Sequence, residues 1–417
     1  MIPTLVTAGA DGQPTGPAIT WEDSRAEDQA DRLREVFGAA AGTPGDDALW
    51  LITGQRVDGR YLLPMFMRLA SADPGRAGAT RALLGAKDYL LWWLTGHGAT
   101  DPSTATGFGC FGLEASDWDP DVLAAAEDTV GGRLPALPPV LPATATRTLR
   151  ADLAARLGCG QIPVCVGAAD SVLGALGLGA RSPGQIAYVA GTSTVILGVS
   201  DKMMLDPWRR YLVTPLAQAG RWGLEMDLLA TGSALRWLAD LMGGGLDEAG
   251  VIALAAQVDP ADAPVVLPYL SPGEQGALWD PALRGTFVGL NLGHDRRHLA
   301  RGLVNGIVLE SRRSLAVLEE SGRFGGDMLV AGGSAATAAF RADLADATGR
   351  RVILPSGRDT GSSARGAALL AAAASGLPVP PPDSEPEAMI SEADPDRAAI
   401  WEILWNRHER ARRSIRA

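Results

Sequence analysis

Lysine is almost missing from this chain: among 417 residues it occurs only at Lys87 and Lys202. With so much alanine and glycine around it, the preference for arginine reads as coding bias rather than function. Basic charge is short overall. Asp and Glu number 48 against 37 Lys and Arg, and the net charge of −11 argues against a nucleic-acid-binding surface and against an anionic membrane as partner. Small acidic substrates stay open, because a local pocket can oppose the global field. Cysteine is scarce too. Cys110, Cys159 and Cys165 are odd in number and form no C-x-x-C, which predicts a reducing, cytoplasmic setting. No apolar run is long enough to span a bilayer. Histidine occurs four times, and no Ser-His-Asp ordering stands out.

What is present belongs to a folded protein. A hydrophobic content of 47% beside 20% charged residues excludes wholesale disorder, and the length suggests two domains. No repeat of fixed period occurs. The opening "PTLVTAGADGQPTGPAITW" predicts a β-hairpin with "GADGQPTG" as its turn. Residues 23–37 read as a helix with acidic residues in its first turn. "LLGAKDYLLWWLTG" reads as a second helix stopped by Gly96, with Trp92 and Trp93 in the core. "LPALPPVLPATATRTL" is a loop or linker. From Ile162 the texture changes to alternating strands and helices, which predicts an α/β architecture. The Pro- and acid-rich "LPVPPPDSEPEA" should lead into a last, Arg-rich helix with a solvated face.

Several short stretches carry candidate chemistry. "IAYVAGTSTVILGV", residues 186–199, folds two apolar runs around Gly191, Thr192 and Ser193. Outward N–H groups and two hydroxyls there can cradle an anion, although Ser and Thr are also ordinary turn residues. "GAAD" places Asp170 where a strand ends and a helix begins, as a ligand-facing carboxylate or simply a helix N-cap. In "VAGGSAAT" the pair Gly332–Gly333 lets a ring or a phosphate approach the backbone, yet it is neither G-x-G-x-x-G nor a Walker loop. Gly232 turns into the amphipathic "SALRWLADL". "HDRRH" spaces His294 and His298 like metal ligands, but the flanking arginines oppose a cation and a surface helix start is expected. His97 and His408 have no suggestive neighbours.

The order of these signals is more specific than any one of them. "W-x-D-x-R" at Trp21, Asp23 and Arg25, then "KDYLLWWLTG" and "ATDPSTATG" come first. "VGAAD…ALGLGARSPG…AGTS", "PYLSPGEQGALWDPALRGTFVGL" and "HLARGLVNGI" follow, and "VAGGSAAT" and "GSSARGAALLAA" come last. Over about residues 1–375 the chain resembles the FGGY carbohydrate kinases, the family of xylulokinase, gluconokinase and glycerol kinase.

The resemblance implies two actin-like domains with ribonuclease-H-like cores, sugar and ATP in the cleft between them, and an N-terminally incomplete first domain. Its domains would be 1–181 (sugar side) and 182–376 (nucleotide side), with 377–417 a linker and terminal helix. By the same resemblance Gly191, Thr192 and Ser193 hold ATP phosphates. Gly232, Arg236, Gly332, Gly333 and Ser334 line the nucleotide, Asp170 is the base, and Trp21, Asp23 and Arg25 face the sugar. Mg²⁺ would bridge phosphate oxygens while keeping most of its waters, with no side chain assigned to it. The partner is a small-molecule sugar, and a homodimer is an assembly the resemblance allows.

Two positions depart from the family: Ala342 and Arg236 stand where glutamines are usual. No D-x-G-T strand pair opens the chain, so its start reads as the middle of a sheet with an uncovered apolar edge. Two functional readings follow. One is an ATP-dependent sugar kinase for a ketopentose, sugar alcohol or sugar acid, with a xylulose-like ketopentose favoured among them. The other is an inactive sugar- or nucleotide-binding remnant.

Overall fold

A computed structural model describes residues 3–271, 276–280, 282–322, 324–356, 361–379 and 388–415. The chain divides into two compact units. The first comprises Met1–Leu173, Asp201–Gly223 and Gly366–Val379; the second comprises Gly174–Ser200, Leu224–Arg365 and Pro380–Ala417. Each unit therefore takes in three stretches of chain, where the sequence suggested consecutive blocks.

In the first unit, β1 (Thr4–Ala8) pairs antiparallel with β2 (Ile19–Thr20), in the register Leu5↔Ile19. The connecting turn closes through Gly9 N–H to the Gln13 carbonyl (2.8 Å) and uses Gly12 at φ +74°, as the turn chemistry predicted. On its other side β1 pairs antiparallel with β3 (Ala82–Gly85), Leu5 facing Gly85 and Thr7 facing Leu83. That corrects the expectation of one helix over "LLGAKDYLLWWLTG". Its first three residues, with Ala82 before them, complete a sheet as a strand whose four residues are all buried, and tertiary pairing overrides the helix propensity of Ala and Leu. The helix, α4, runs only from Ala86 to Thr95 and ends on Gly96 at φ +76°. Trp92 is half-buried against Val6 and Ala8, whereas Trp93 is 43% exposed and lies outside the core.

Helices α1 (Glu27–Ala41), α2 (Gly45–Thr53) and α3 (Leu62–Ala72) pack on this sheet around Leu5, Leu33, Leu49, Phe66, Leu83 and Phe108. The first helix starts four residues later than its pattern suggested. Asp23 accepts the Arg25 backbone N–H at 3.0 Å, which favours a turn there over helix. The Pro-rich stretch is loop until Thr146–Thr148, which pairs with β4 (Pro163–Cys165). Helix α5 (Asp170–Leu178) follows that strand, and its Asp170 end belongs to the first unit.

The second unit is built on a mixed sheet. Hairpin strands β5 (Ile186–Ala190) and β6 (Thr194–Ser200) pair in the register Ala190↔Thr194. Outward from them run β7 (Trp222–Leu228) on one side and β8 (Met328–Gly332), β9 (Val352–Leu354) and β10 (Met389–Ser391) on the other. The pairing of β8 to β5 is parallel, with Gly332 opposite Ala190. Helices α6 (Gly232–Met242), α7 (Arg296–Glu320) and α8 (Ala338–Thr348) complete the strand–helix alternation that the sequence predicted.

The last helix, α9 (Pro395–Ile415), is not a solvated face. Trp401, Leu404, His408 and Ala411 are buried. His408 has the neighbour that its sequence context did not suggest: its Nε2 lies 2.7 Å from Glu310 Oε1, in the interior. Most of the preceding Pro- and acid-rich segment lies outside the described residues.

Candidate functional site

The nucleotide-side candidates lie together in the second unit. Because β5 and β6 are joined by only Gly191, Thr192 and Ser193, the turn is tight, and the Gly191 N–H closes it onto the Ser193 carbonyl at 2.9 Å. Thr192 is exposed and Ser193 partly so. Among the described residues none accepts a hydrogen bond from the N–H of Thr192 or Ser193, which leaves two donors at the tip.

Two further turns close on the same hairpin. The Ser233 N–H at the start of α6 donates to the Thr192 carbonyl at 2.9 Å, and the hydroxyls of Thr194 and Thr231 are 2.8 Å apart in the interior. A Cβ at Gly232 would stand 2.3 Å from the Gly191 oxygen, so this approach requires glycine. Gly332, at φ +99°, is held as tightly, since a Cβ there would meet the Ala190 oxygen at 2.0 Å. Its neighbour Gly333 faces open space, with nothing within 4 Å of where a Cβ would be. Ser334 is buried and its carbonyl accepts the Thr337 hydroxyl at 2.8 Å. The structure thus gathers Gly191, Thr192, Ser193, Gly232 and Gly332–Gly333 around one corner, the tip of the β5–β6 hairpin. Arg236, on the first turns of α6, is 66% exposed and ion-paired with Glu248.

The remaining candidates lie in the first unit. Asp23 and Arg25 form a bidentate pair, with Nε–Oδ1 at 2.9 Å and Nη2–Oδ2 at 2.6 Å. Hydrogen bonding from Arg25, with the Arg68 charge adding to it, holds the Asp23 carboxyl below the usual carboxylate range. Both line a cavity of about 310 Å³, together with the apolar Ile19, Met65 and Leu69 and the cationic Arg68 and Arg76. Trp21 is half-buried beside them in sequence but is not among the residues lining that cavity. Asp170 is exposed at the first turn of α5, and its Oδ1 accepts the Ser171 N–H at 3.2 Å.

A cluster that the sequence reading did not assign stands behind Asp170. Lys87 Nζ is 2.8 Å from Asp88 Oδ1, 3.2 Å from Asp101 Oδ1 and 3.1 Å from the Val166 carbonyl. Both carboxylates are buried. Burial disfavours the ammonium, but Asp88 and Asp101 outweigh it and raise the Lys87 pKa, so the side chain stays charged. The available signal was the rarity of lysine itself, which composition alone explains as bias.

The other flagged pair, His294 and His298, stacks at 5.3 Å on the surface, and Asp295 caps α7 between them as the helix-start reading expected. Among the described residues, no group of three His, Cys, Asp or Glu side chains is placed to hold a metal, and no helix is long and apolar enough to cross a membrane.

Comparison with known proteins adds the following. Residues 3–177 match the N-terminal domain, and residues 186–375 the C-terminal domain, of the FGGY family of carbohydrate kinases. The chain is 31% identical to the xylulose kinase of Escherichia coli (strain K12) over 356 residues, which is 85% of this chain and 70% of that one. It is 28% identical to the gluconokinase of Bacillus licheniformis over 389 residues, covering 89% of this chain and 72% of the relative. The crystal structure of xylulose kinase from Rhodospirillum rubrum superposes with a TM-score of 0.85 at 29% identity, covering 100% of this chain and 83% of the other.

Proposed function

The chain belongs to the FGGY family of carbohydrate kinases, and from that premise we propose that it transfers a phosphoryl group from ATP to a hydroxyl of a xylulose-like ketopentose. The observation that carries this reading is the corner formed by the Gly191–Ser193 hairpin, Gly232 and Gly332–Gly333. The N–H groups of Thr192 and Ser193, which have no acceptor among the described residues, suit phosphate oxygens together with both hydroxyls. The open face at Gly333 suits a flat ring, and Ser334 and Arg236 are assigned to the nucleotide with it. Mg²⁺, when present with the nucleotide, would supply charge neutralisation, and no side chain of this chain is assigned to it.

Phosphoryl transfer asks the protein mainly to align the acceptor and stabilise charge. Asp170, exposed at the head of α5, is the residue we assign to accept the sugar hydroxyl's proton as that oxygen attacks. Trp21, Asp23 and Arg25 are assigned to the sugar. With Cys110, Cys159 and Cys165 all unpaired, we place the reaction in the reducing cytoplasm.

A second substrate reading has a specific observation in its favour. Three arginines, Arg25, Arg68 and Arg76, line the first unit's cavity against the single carboxylate of Asp23, in a chain that is acidic overall. Such a cavity favours a sugar acid. Coupled measurement of ADP release with D-xylulose, D-gluconate and glycerol, each with Mg-ATP, separates the readings. The ketopentose reading requires D-xylulose to show the highest kcat/KM. A higher value for gluconate moves the assignment to a sugar acid, and no turnover with any of the three defeats both.

A further inference from the structure

A chain that almost never uses lysine has placed one at Lys87, next to an aspartate and at the start of α4. Burying two carboxylates for one ammonium leaves a local excess of negative charge, and such clusters rarely stabilise a fold better than apolar residues would. What they do provide is geometry, because every member has fixed partners. The Asp88 carboxylate accepts the Gly85 N–H (3.1 Å) and fixes the turn into α4. Asp101 accepts the Ser103 N–H (2.9 Å), the Thr104 hydroxyl (2.5 Å) and the Ser103 hydroxyl.

The outputs of this cluster converge on one loop, Val166–Ala169, which ends at Asp170. Lys87 donates to the Val166 carbonyl. With its hydrogen committed to Asp101, the Ser103 hydroxyl turns a lone pair to the Ala169 N–H, which donates to it at 2.8 Å. The Val166 and Gly167 N–H groups are tied separately to the carbonyls of Ala145 (2.8 Å) and Ala143 (3.0 Å). Gly167 sits at φ +83°, and a Cβ there would lie 3.4 Å from Lys87 Cδ. Val166, Ala168 and Ala169 are buried, and the next residue, Asp170, is exposed.

We propose that Lys87, acting through Asp101 and Ser103, is a positioning residue that holds the Val166–Ala169 loop and so aims the Asp170 carboxylate at the acceptor hydroxyl. This rests on Asp170 being the base. The mechanism is steric and local: a proton acceptor displaced by about an ångström can cost up to a hundredfold in rate while binding is little changed.

Lys87→Met leaves two buried carboxylates uncompensated and is expected to fold poorly, so the deciding variants are Ser103→Ala and Ser103→Thr. Each is compared with the parent by thermal melting and by kcat and KM for sugar and Mg-ATP, and Ser103→Ala is repeated in an Asp170→Asn background. The expected result is a folded Ser103→Ala with kcat down about ten- to a hundredfold, both KM values within about twofold, and recovery of most of the loss in Ser103→Thr. In the Asp170→Asn background, Ser103→Ala should cost nothing further, because the group it aims is gone. Unchanged kcat in folded Ser103→Ala, or the same loss with and without Asp170, overturns the proposal while leaving the base assignment standing. Full turnover by Asp170→Asn alone overturns the base assignment, and the positioning role falls with it.

Discussion

A methyl group added at Gly333 would enter open space, whereas one added at Gly332 would lie 2.0 Å from a backbone oxygen. The two neighbours therefore test different things. Gly332→Ala should destabilise the second unit outright, through both the collision and the positive φ. Gly333→Ala should leave the melting temperature unchanged and weaken nucleotide binding, if a ring rests on that face. Binding to the native state alone adds about 2.7 kcal/mol at a ligand concentration a hundred times Kd, so Mg-ATP should raise the parent's melting temperature measurably. A full Mg-ATP shift in Gly333→Ala would move the ring elsewhere. For Asp170→Asn we expect an intact fold, retained sugar binding and a loss of about two to four decades in kcat. Near-normal turnover would leave Asp170 as a helix-start residue only. The glycines and Asp170 were legible in the sequence because turn chemistry is local. Lys87 and Ser103 were not, because their partners stand 79 and 66 residues away.

Elements were legible where one face is buried and illegible where tertiary pairing decides. The hairpin β5–β6 and the alternation from β7 to β9 carry their own periodicity. By contrast, "ALLG" becomes strand β3 only because β1 offers it an edge. The same is true of α9, whose arginines suggested solvent. Its buried stripe meets a polar cluster on α7: Glu310 accepts from Tyr269 (2.7 Å) and Arg313 (2.9 Å) and contacts His408, while Glu409 binds Arg412 and Arg313. Burial alone would raise the Glu409 pKa, but hydrogen bonds from Arg412 and Arg313 outweigh it and bring it to about 2, below its ordinary 4.5. A carboxylate depressed in the folded state contributes stability that is fully present above its unfolded pKa and lost as pH falls through the folded one. The contribution of Glu409 should therefore hold at neutral pH and decline from about pH 4.5 towards 2. Acid titration followed by tryptophan fluorescence from Trp401 and Trp405 checks this. Glu409→Gln should flatten the decline in that window, and an unchanged acid limb would show that α9 is held by its apolar face alone.

At the scale of the whole molecule, the two units are not consecutive in the chain, and that has a consequence for any attempt to separate them. The sequence suggested a first domain over 1–181. The first unit, however, also includes Asp201–Gly223 and Gly366–Val379. The segment from Asp201 supplies specific partners. Val213 N–H donates to the Gly54 carbonyl (3.0 Å), and the Val213 carbonyl accepts from Gln55 Nε2 at 2.8 Å. Gln55 is buried and its Oε1 also accepts the Tyr61 hydroxyl (3.1 Å), so losing Val213 strands a buried amide beside the core. Asp47 likewise loses the Arg209 guanidinium at 3.1 Å. An unpaired buried polar group costs about 1–3 kcal/mol, a sizeable fraction of what a domain has in hand. We therefore expect a fragment 1–181 to lack a cooperative melting transition and to give a poorly dispersed amide NMR spectrum. Linking 201–223 back to it should restore part of the dispersion, with the amides of Gly54 and Gln55 among the first to shift. If the bare fragment already melts cooperatively, the continuous domain reading holds for folding and the inserted segment is an addition to a finished core.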